Sequence, residues 1–84
     1  LGDLAKLHNI GKVIEEQLNQ VGVETYEQLK NIGSQQAWLK IKAIDDSACY
    51  NRLCALEGAI QQINKANLSE NKKKELKEFY NNWK

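Results

Sequence analysis

A five-residue phrase occurs twice in this chain: Leu7-His8-Asn9-Ile10-Gly11 returns 22 positions later as Leu29-Lys30-Asn31-Ile32-Gly33. Each copy falls where one helical pattern stops and another starts, as in a repeated helical hairpin. Glycine after an apolar anchor permits a tight turn at positive φ, and the amides that follow lack intrahelical partners at the N-terminus of the next helix. Such free amides attract phosphate. The chain is therefore expected to be all-α, with a hairpin pair over about residues 4–43.

The apolar spacing predicts the individual helices. Leu4 and Leu7 share one side of a short helix over residues 1–7, with Asp3 suited to the positive end of its dipole. A second helix from about Lys12 to Val21 buries Ile14, Leu18 and Val21, Gly22 closes it, and Val23 packs back onto its last turn. Thr25 and Gln28 form a capping box for a two-turn helix from about Tyr26 to Lys30, with Tyr26 and Leu29 inward. Ser34 is the expected N-cap of a helix over about 35–43, where either Trp38 and Ile41 or Leu39 and Ala43 face the core.

Asp45, Asp46 and Ser47 compete as caps for the longest expected element, a central helix over about 47–64. Its Cys49, Leu53, Leu56, Ile60 and Ile63 step by four, three, four and three, a continuous apolar seam. Ala48, Ala55, Gly58 and Ala59 are small enough for other helices to approach closely. Glycine at 58 costs ~1 kcal/mol of helix propensity relative to alanine, which close contact would explain. After a loop over 65–68, Ser69 caps a C-terminal helix over about 70–83. Leu76, Phe79, Tyr80 and Trp83 line one side of it, and Lys72, Lys73, Lys74 and Lys77 cover the others. The fold expected is one domain over 1–84, five or six short helices in a helix-hairpin-helix or SAM-like bundle around one long central helix.

Composition excludes several functional classes. No run of ~18 apolar residues is present to span a membrane, and no secretory signal is visible. The chain contains no methionine, as expected of a domain cut from a longer product or lacking its first residues. Twelve basic against eleven acidic residues leave a net charge of +1, so no global basic field favours non-specific DNA binding. The charge is uneven: six lysines against three glutamates give +3 from Lys65 onward, while residues 45–64 carry −2. Cys49 and Cys54 lie five apart, a helical rotation of roughly 140° with about 7.5 Å of rise, so they should not pair. Both are expected to be reduced, mostly buried thiols of a cytoplasmic protein. No nucleophile with its base, no metal-ligand set and no Gly-rich nucleotide loop occurs, so neither catalysis nor a cofactor is expected.

Two functional readings remain open at this point. In the first, the amides around Ile10, Gly11 and Lys12 hold a DNA phosphate, the Lys12 side chain neutralises it, and Lys6 and His8 stand in reserve. The second hairpin offers Gly33, Ser34 and Gln35 after Lys30, a weaker set because Gln35 is neutral. Glu15, Glu16, Glu24 and Glu27 oppose phosphate near the first turn. In the second reading the same turns merely join helices, and an exposed apolar side of the last helix, with Trp83, docks another protein.

The residues also resemble a known family. Leu4 through Gly33, with Leu-x-Asn-Ile-Gly, the Leu18-to-Gly22 helix end and Gly22-Val23-x-Thr25-x-x-x-Leu29, resembles the C-terminal domain of the TfoX/Sxy family of bacterial competence regulators. The likeness continues through Ala37-Trp38-Leu39. Asn51-Arg52-Leu53-Cys54-Ala55-Leu56-Glu57-Gly58-Ala59 is similar to the family's Leu-Tyr-Ala-Leu-Glu-Gly-Ala stretch, so the match covers about Leu4 to Ile63. The resemblance implies a helix-hairpin-helix-like fold and a role in transcriptional control of DNA-uptake genes, beside a cyclic-AMP-responsive regulator. DNA, another transcription regulator and a TfoX N-terminal domain lying outside this sequence are the partners it implies. The turn departs from the Pro-Gly-Ile-Gly of DNA-binding hairpins, since His8 and Asn9 take the first two places. Asparagine tolerates positive φ, so the turn geometry is expected to survive.

Overall fold

A computed structural model describes residues 4–7 and 9–83, with Ala5 described through its backbone alone. Four α-helices, α1 (Lys12–Gln20), α2 (Tyr26–Ile44), α3 (Tyr50–Gln61) and α4 (Glu70–Trp83), are joined by loops that include 3-10 turns at Leu4–Lys6 and Lys65–Asn67. No strand occurs among the described residues. The helix count falls short of the five or six expected for two physical reasons. The first expected helix is only the 3-10 turn Leu4–Lys6, Asp3 lying outside the described residues. The helices expected over 26–30 and 35–43 are two limbs of α2, which bends at Gly33 (φ 84°, ψ 160°) without a connecting loop.

The central helix is also shorter than its seam. It runs for 12 residues, fewer than the 19 of α2 or the 14 of α4. Its start is delayed because the Asp45 carboxylate accepts from both the Ser47 amide and hydroxyl, which turns the chain, and Cys49 is still extended at φ −117°, ψ 177°. Its end comes early because Gln62 turns left-handed at φ 61°. The Gln62 amide then donates to Ala59 O and the Ile63 amide to Gly58 O. Consequently α3 is central by burial rather than by length. Leu53, Leu56 and Ala59 are fully buried against Leu29, Trp38 and Ile41 of α2, with Leu18 of α1 and Leu76 of α4 completing the core. Of the two thiols, Cys54 is buried as expected and Cys49 is exposed, because position 49 is an N-cap outside the seam; both are free.

Local signals read from the sequence are met at most helix ends. Gly22 (φ 92°) closes α1: its amide donates to Asn19 O and that of Val23 to Leu18 O at 2.8 Å, satisfying two carbonyls at the helix end. Thr25 Oγ1 accepts from the Gln28 amide, and Gln28 Oε1 accepts from the Glu24 amide. Ser69 Oγ caps α4 through the Lys72 amide. Ser34 is the exception. Its side chain is buried and donates to Glu57 rather than capping the second limb of α2.

Side chains bonded to distant backbone atoms fix the helices relative to one another. Trp38, fully buried, donates from Nε1 to Cys49 O at 3.1 Å and meets Phe79, Tyr80 and Trp83 of α4 edge to face. Tyr26 donates to Ile60 O at 2.6 Å, which ties α2 to α3. Asp45 receives Gln17 and Arg52 on its other oxygen, so α1, the end of α2 and α3 meet at one carboxylate. The Ser47 hydroxyl and amide, then Gln17 and Arg52, hold its pKa well below the usual carboxylate range.

Tyr50 provides a pH-sensitive tie. Its hydroxyl donates to Lys73 O at 3.0 Å, joining α3 to α4, and burial first, then the Cys54 thiol, push its pKa up to about 12. An unfolded tyrosine ionises near ~10. The stability contributed by the neutral phenol is therefore complete below pH ~10 and disappears as pH rises towards ~12. Urea denaturation followed by circular dichroism should therefore show a smaller loss of stability between pH 8 and pH 12 for Tyr50→Phe than for the unmodified chain. An identical pH profile in that variant would contradict the assignment.

Candidate nucleic-acid interface

The first hairpin is built around Asn9, not around Gly11. Positive φ falls on Asn9 (69°), while Gly11 is extended at φ −96°, ψ −176°. A Cβ on Gly11 would meet nothing within 4 Å, so neither backbone angle nor space requires glycine there. This corrects the expectation that Gly11 turns the chain. Asparagine takes the left-handed conformation at small cost and, unlike glycine, brings a carboxamide. That carboxamide spans the domain: Nδ2 donates to Ile63 O at 3.0 Å and Oδ1 accepts from the Lys65 amide at 3.1 Å. The turn is thus locked onto the loop after α3.

Gly58 makes this lock fit. A Cβ at position 58 would overlap the Asn9 carboxamide and would lie 2.9 Å from Ile63 O and 3.2 Å from Lys65 Cα. The propensity lost at Gly58 therefore admits Asn9, a contact between residues 49 positions apart.

Of the donors expected at this turn, the Ile10 amide is engaged with Leu7 O at 3.3 Å, and its side chain is buried. Ile10 is thus the anchor. The first amide to bond a helical carbonyl is that of Glu15, onto Gly11 O at 3.0 Å, and no side chain caps α1. The preceding amides, Lys12 and Val13, lie in the exposed first turn and carry the partial positive charge of the helix dipole. Lys6 and Lys12 are exposed. Val13 is 63% exposed beside them. Glu15 and exposed Glu16 follow within the first turns and oppose an anion. His8 lies outside the described residues.

The second hairpin is electrostatically different. Gly33 has the expected positive φ, but the Ser34 hydroxyl is spent on Glu57 Oε1 at 2.7 Å, and Glu57 Oε2 accepts from Gln61. Glu57 and Glu75 share with Gly33, Ser34 and Gln35 a cleft of about 220 Å³. Two carboxylate residues therefore line the cleft beside this turn, and Lys30, on the preceding limb of α2, is exposed.

Two contributors to the first turn escape local sequence reasoning. Asn9 had a signal, its tolerance of positive φ, but its long-range bonds had none. Lys65 joins this region only through Asn9, 56 residues away. Among the described residues, no group of three or more His, Cys, Asp or Glu is placed to hold a metal, and no helix is long and apolar enough to cross a membrane.

Comparison with known proteins agrees with this architecture. A triclinic crystal structure of an uncharacterized protein from Listeria monocytogenes superposes with a TM-score of 0.95 at 46% identity, over 96% of this chain and 92% of that one. A tetragonal-form structure of a protein of unknown function from the same organism gives 0.94 at 45% identity, over 98% and 100% of the two chains. No curated protein matches the chain. The family model that does match describes the TfoX C-terminal domain and covers residues 2–80. Spanned almost end to end by that model, this chain belongs to the TfoX C-terminal domain family.

Proposed function

We propose that this domain is a non-catalytic regulatory module, acting in the cytoplasm, that associates with DNA by presenting the first turn of α1 to the phosphate backbone. Family membership is consistent with a competence-related regulatory role. The observation that carries the DNA reading is the exposed, uncapped start of α1 beside Lys12, on a turn held rigid by Asn9. A rigid set of donors loses little entropy when phosphate arrives, and backbone amides contact phosphate without reading bases. DNA is then the direct partner, and another transcription regulator bound to the same site would supply sequence specificity.

Anisotropy of a labelled duplex tests this reading. With about three phosphates neutralised, affinity should fall roughly 40-fold between 50 and 200 mM salt. Lys12→Glu, which replaces attraction by repulsion, should weaken binding at least about tenfold at low salt.

A second reading, a protein-docking module, is favoured by the exposure of Ile44 (50%) and Trp83 (44%). Trp83 is only partly available, since its ring already meets Trp38 and the Lys42 ammonium at 5.4 Å. Undetectable duplex binding at low ionic strength would favour that reading.

A further inference from the structure

We infer that the phosphate-facing surface continues from α1 across the Lys65–Asn67 turn onto the first turns of α4, where Lys65 and Lys73 form a second contact with the same DNA duplex. This rests on the DNA reading of the Asn9–Gly11 turn and extends it to elements that the hairpin motif does not include.

Three observations connect the two regions. The Asn9 carboxamide holds the Lys65 amide at 3.1 Å, so the 3-10 turn Lys65–Asn67 sits directly beside the hairpin. On its other side, Lys73 Nζ donates to Ala66 O at 3.4 Å, which brings an α4 lysine onto that same turn. No acidic residue occurs from Gly58 to Ser69, so the loop between the two basic regions is free of carboxylates of its own.

Charge points the same way. The last 20 residues carry +3 of a chain total of +1, so the other 64 sum to −2 and the basic surplus resides here. Among the described residues the ion pairs are Arg52–Asp45 and Lys72–Glu75, so Lys6, Lys12, Lys65 and Lys73, like the lysines of α2 and Lys74 and Lys77, are not neutralised by one. Lys6, Lys12 and Lys65 are exposed and Lys73 is half-buried. Glu15 and exposed Glu16 on α1 and exposed Glu70 in the first turn of α4 are near these lysines in sequence and oppose an anion.

Dimensions permit one duplex to reach both points. Lys12 lies three residues from Asn9, within about 11 Å of extended chain. The longest extent of the domain is 32 Å. One turn of B-DNA is about 34–36 Å, so both contacts would fall within a single helical turn.

The test compares the salt dependence of binding to a labelled duplex of about 16 base pairs for the unmodified chain, Lys12→Gln, Lys65→Gln, Lys65→Gln/Lys73→Gln and the control Lys40→Gln. Each phosphate contact removed should lower the slope of log K against log salt by about 0.9. Lys65→Gln should therefore lose about 0.9 and the double variant about 1.8, with binding at least about tenfold weaker at low salt for the pair. Lys40→Gln should change neither quantity. Lys65→Gln matters separately because its side chain makes no bond within the described domain, so its effect does not pass through folding. If Lys12→Gln weakens binding while Lys65→Gln and the double variant match the unmodified chain, the second contact is overturned and the DNA reading stands. If the unmodified chain does not bind at low salt, both are overturned.

Discussion

Gly58→Ala is expected to destabilise the domain by about 2–4 kcal/mol, although alanine is the better helix former by ~1 kcal/mol. The gain in propensity is outweighed because the new methyl would occupy the space of the Asn9 carboxamide and press on Ile63 O and Lys65 Cα, two backbone positions with little room to yield. Expelling the carboxamide forfeits two hydrogen bonds of about 1 kcal/mol each, and residual overpacking adds about 1–3 kcal/mol. Urea denaturation followed by circular dichroism measures the difference.

A double-mutant cycle identifies the cause. Asn9→Gly preserves the positive φ while removing the carboxamide and both of its hydrogen bonds, so Gly58→Ala in that background should cost about 2 kcal/mol less than in the unmodified chain. Strict additivity would mean that the Ile63 and Lys65 backbone, not Asn9, sets the penalty. The same pair has a functional readout, because a displaced Asn9 releases the turn that leads into Lys12.

The largest loss of stability is expected from Trp38→Ala, at about 4 kcal/mol. The indole is fully buried, three aromatic rings of α4 lean on it edge to face, and its Nε1 satisfies Cys49 O at the start of α3. Truncation opens a large cavity and leaves that carbonyl without its donor. A domain of this size has a total stability of roughly 4–13 kcal/mol, so the variant should be largely unfolded at the lower end of that range. Trp38→Phe refills most of the volume without the donor and should cost about 2 kcal/mol. A loss below about 1.5 kcal/mol for the alanine variant would show that α4 does not depend on the indole.

The site and the fold differ in how far they could be read along the chain. Helix boundaries governed by neighbouring residues were legible: Gly22 with Val23, Thr25 with Gln28, and Ser69 before α4 all act within a few positions. Ser34 was not, because a serine suited to a cap met Glu57 from another helix and bonded it instead. Cys49 fitted the apolar seam by spacing, yet the Asp45–Ser47 turn moved the helix start past it and left it exposed. At the hairpin, the glycine motif marked the right place but attributed the turn to the wrong residue, since Asn9 takes the positive φ.

The sequence by itself determined that this chain is helical, that it turns near residues 9–11 and at 33, and that it belongs with the TfoX C-terminal domains. Those properties follow from period, capping chemistry and glycine placement, all of which act over one or two helical turns. Only the tertiary structure decided which remote side chains meet each hairpin. Asn9 and Gly58 fit together across 49 positions, Lys65 is drawn to the first turn, and Glu57 closes on the second. The reason is that hydrogen bonding and steric fit depend on distance in space, and no local pattern records which remote side chain arrives.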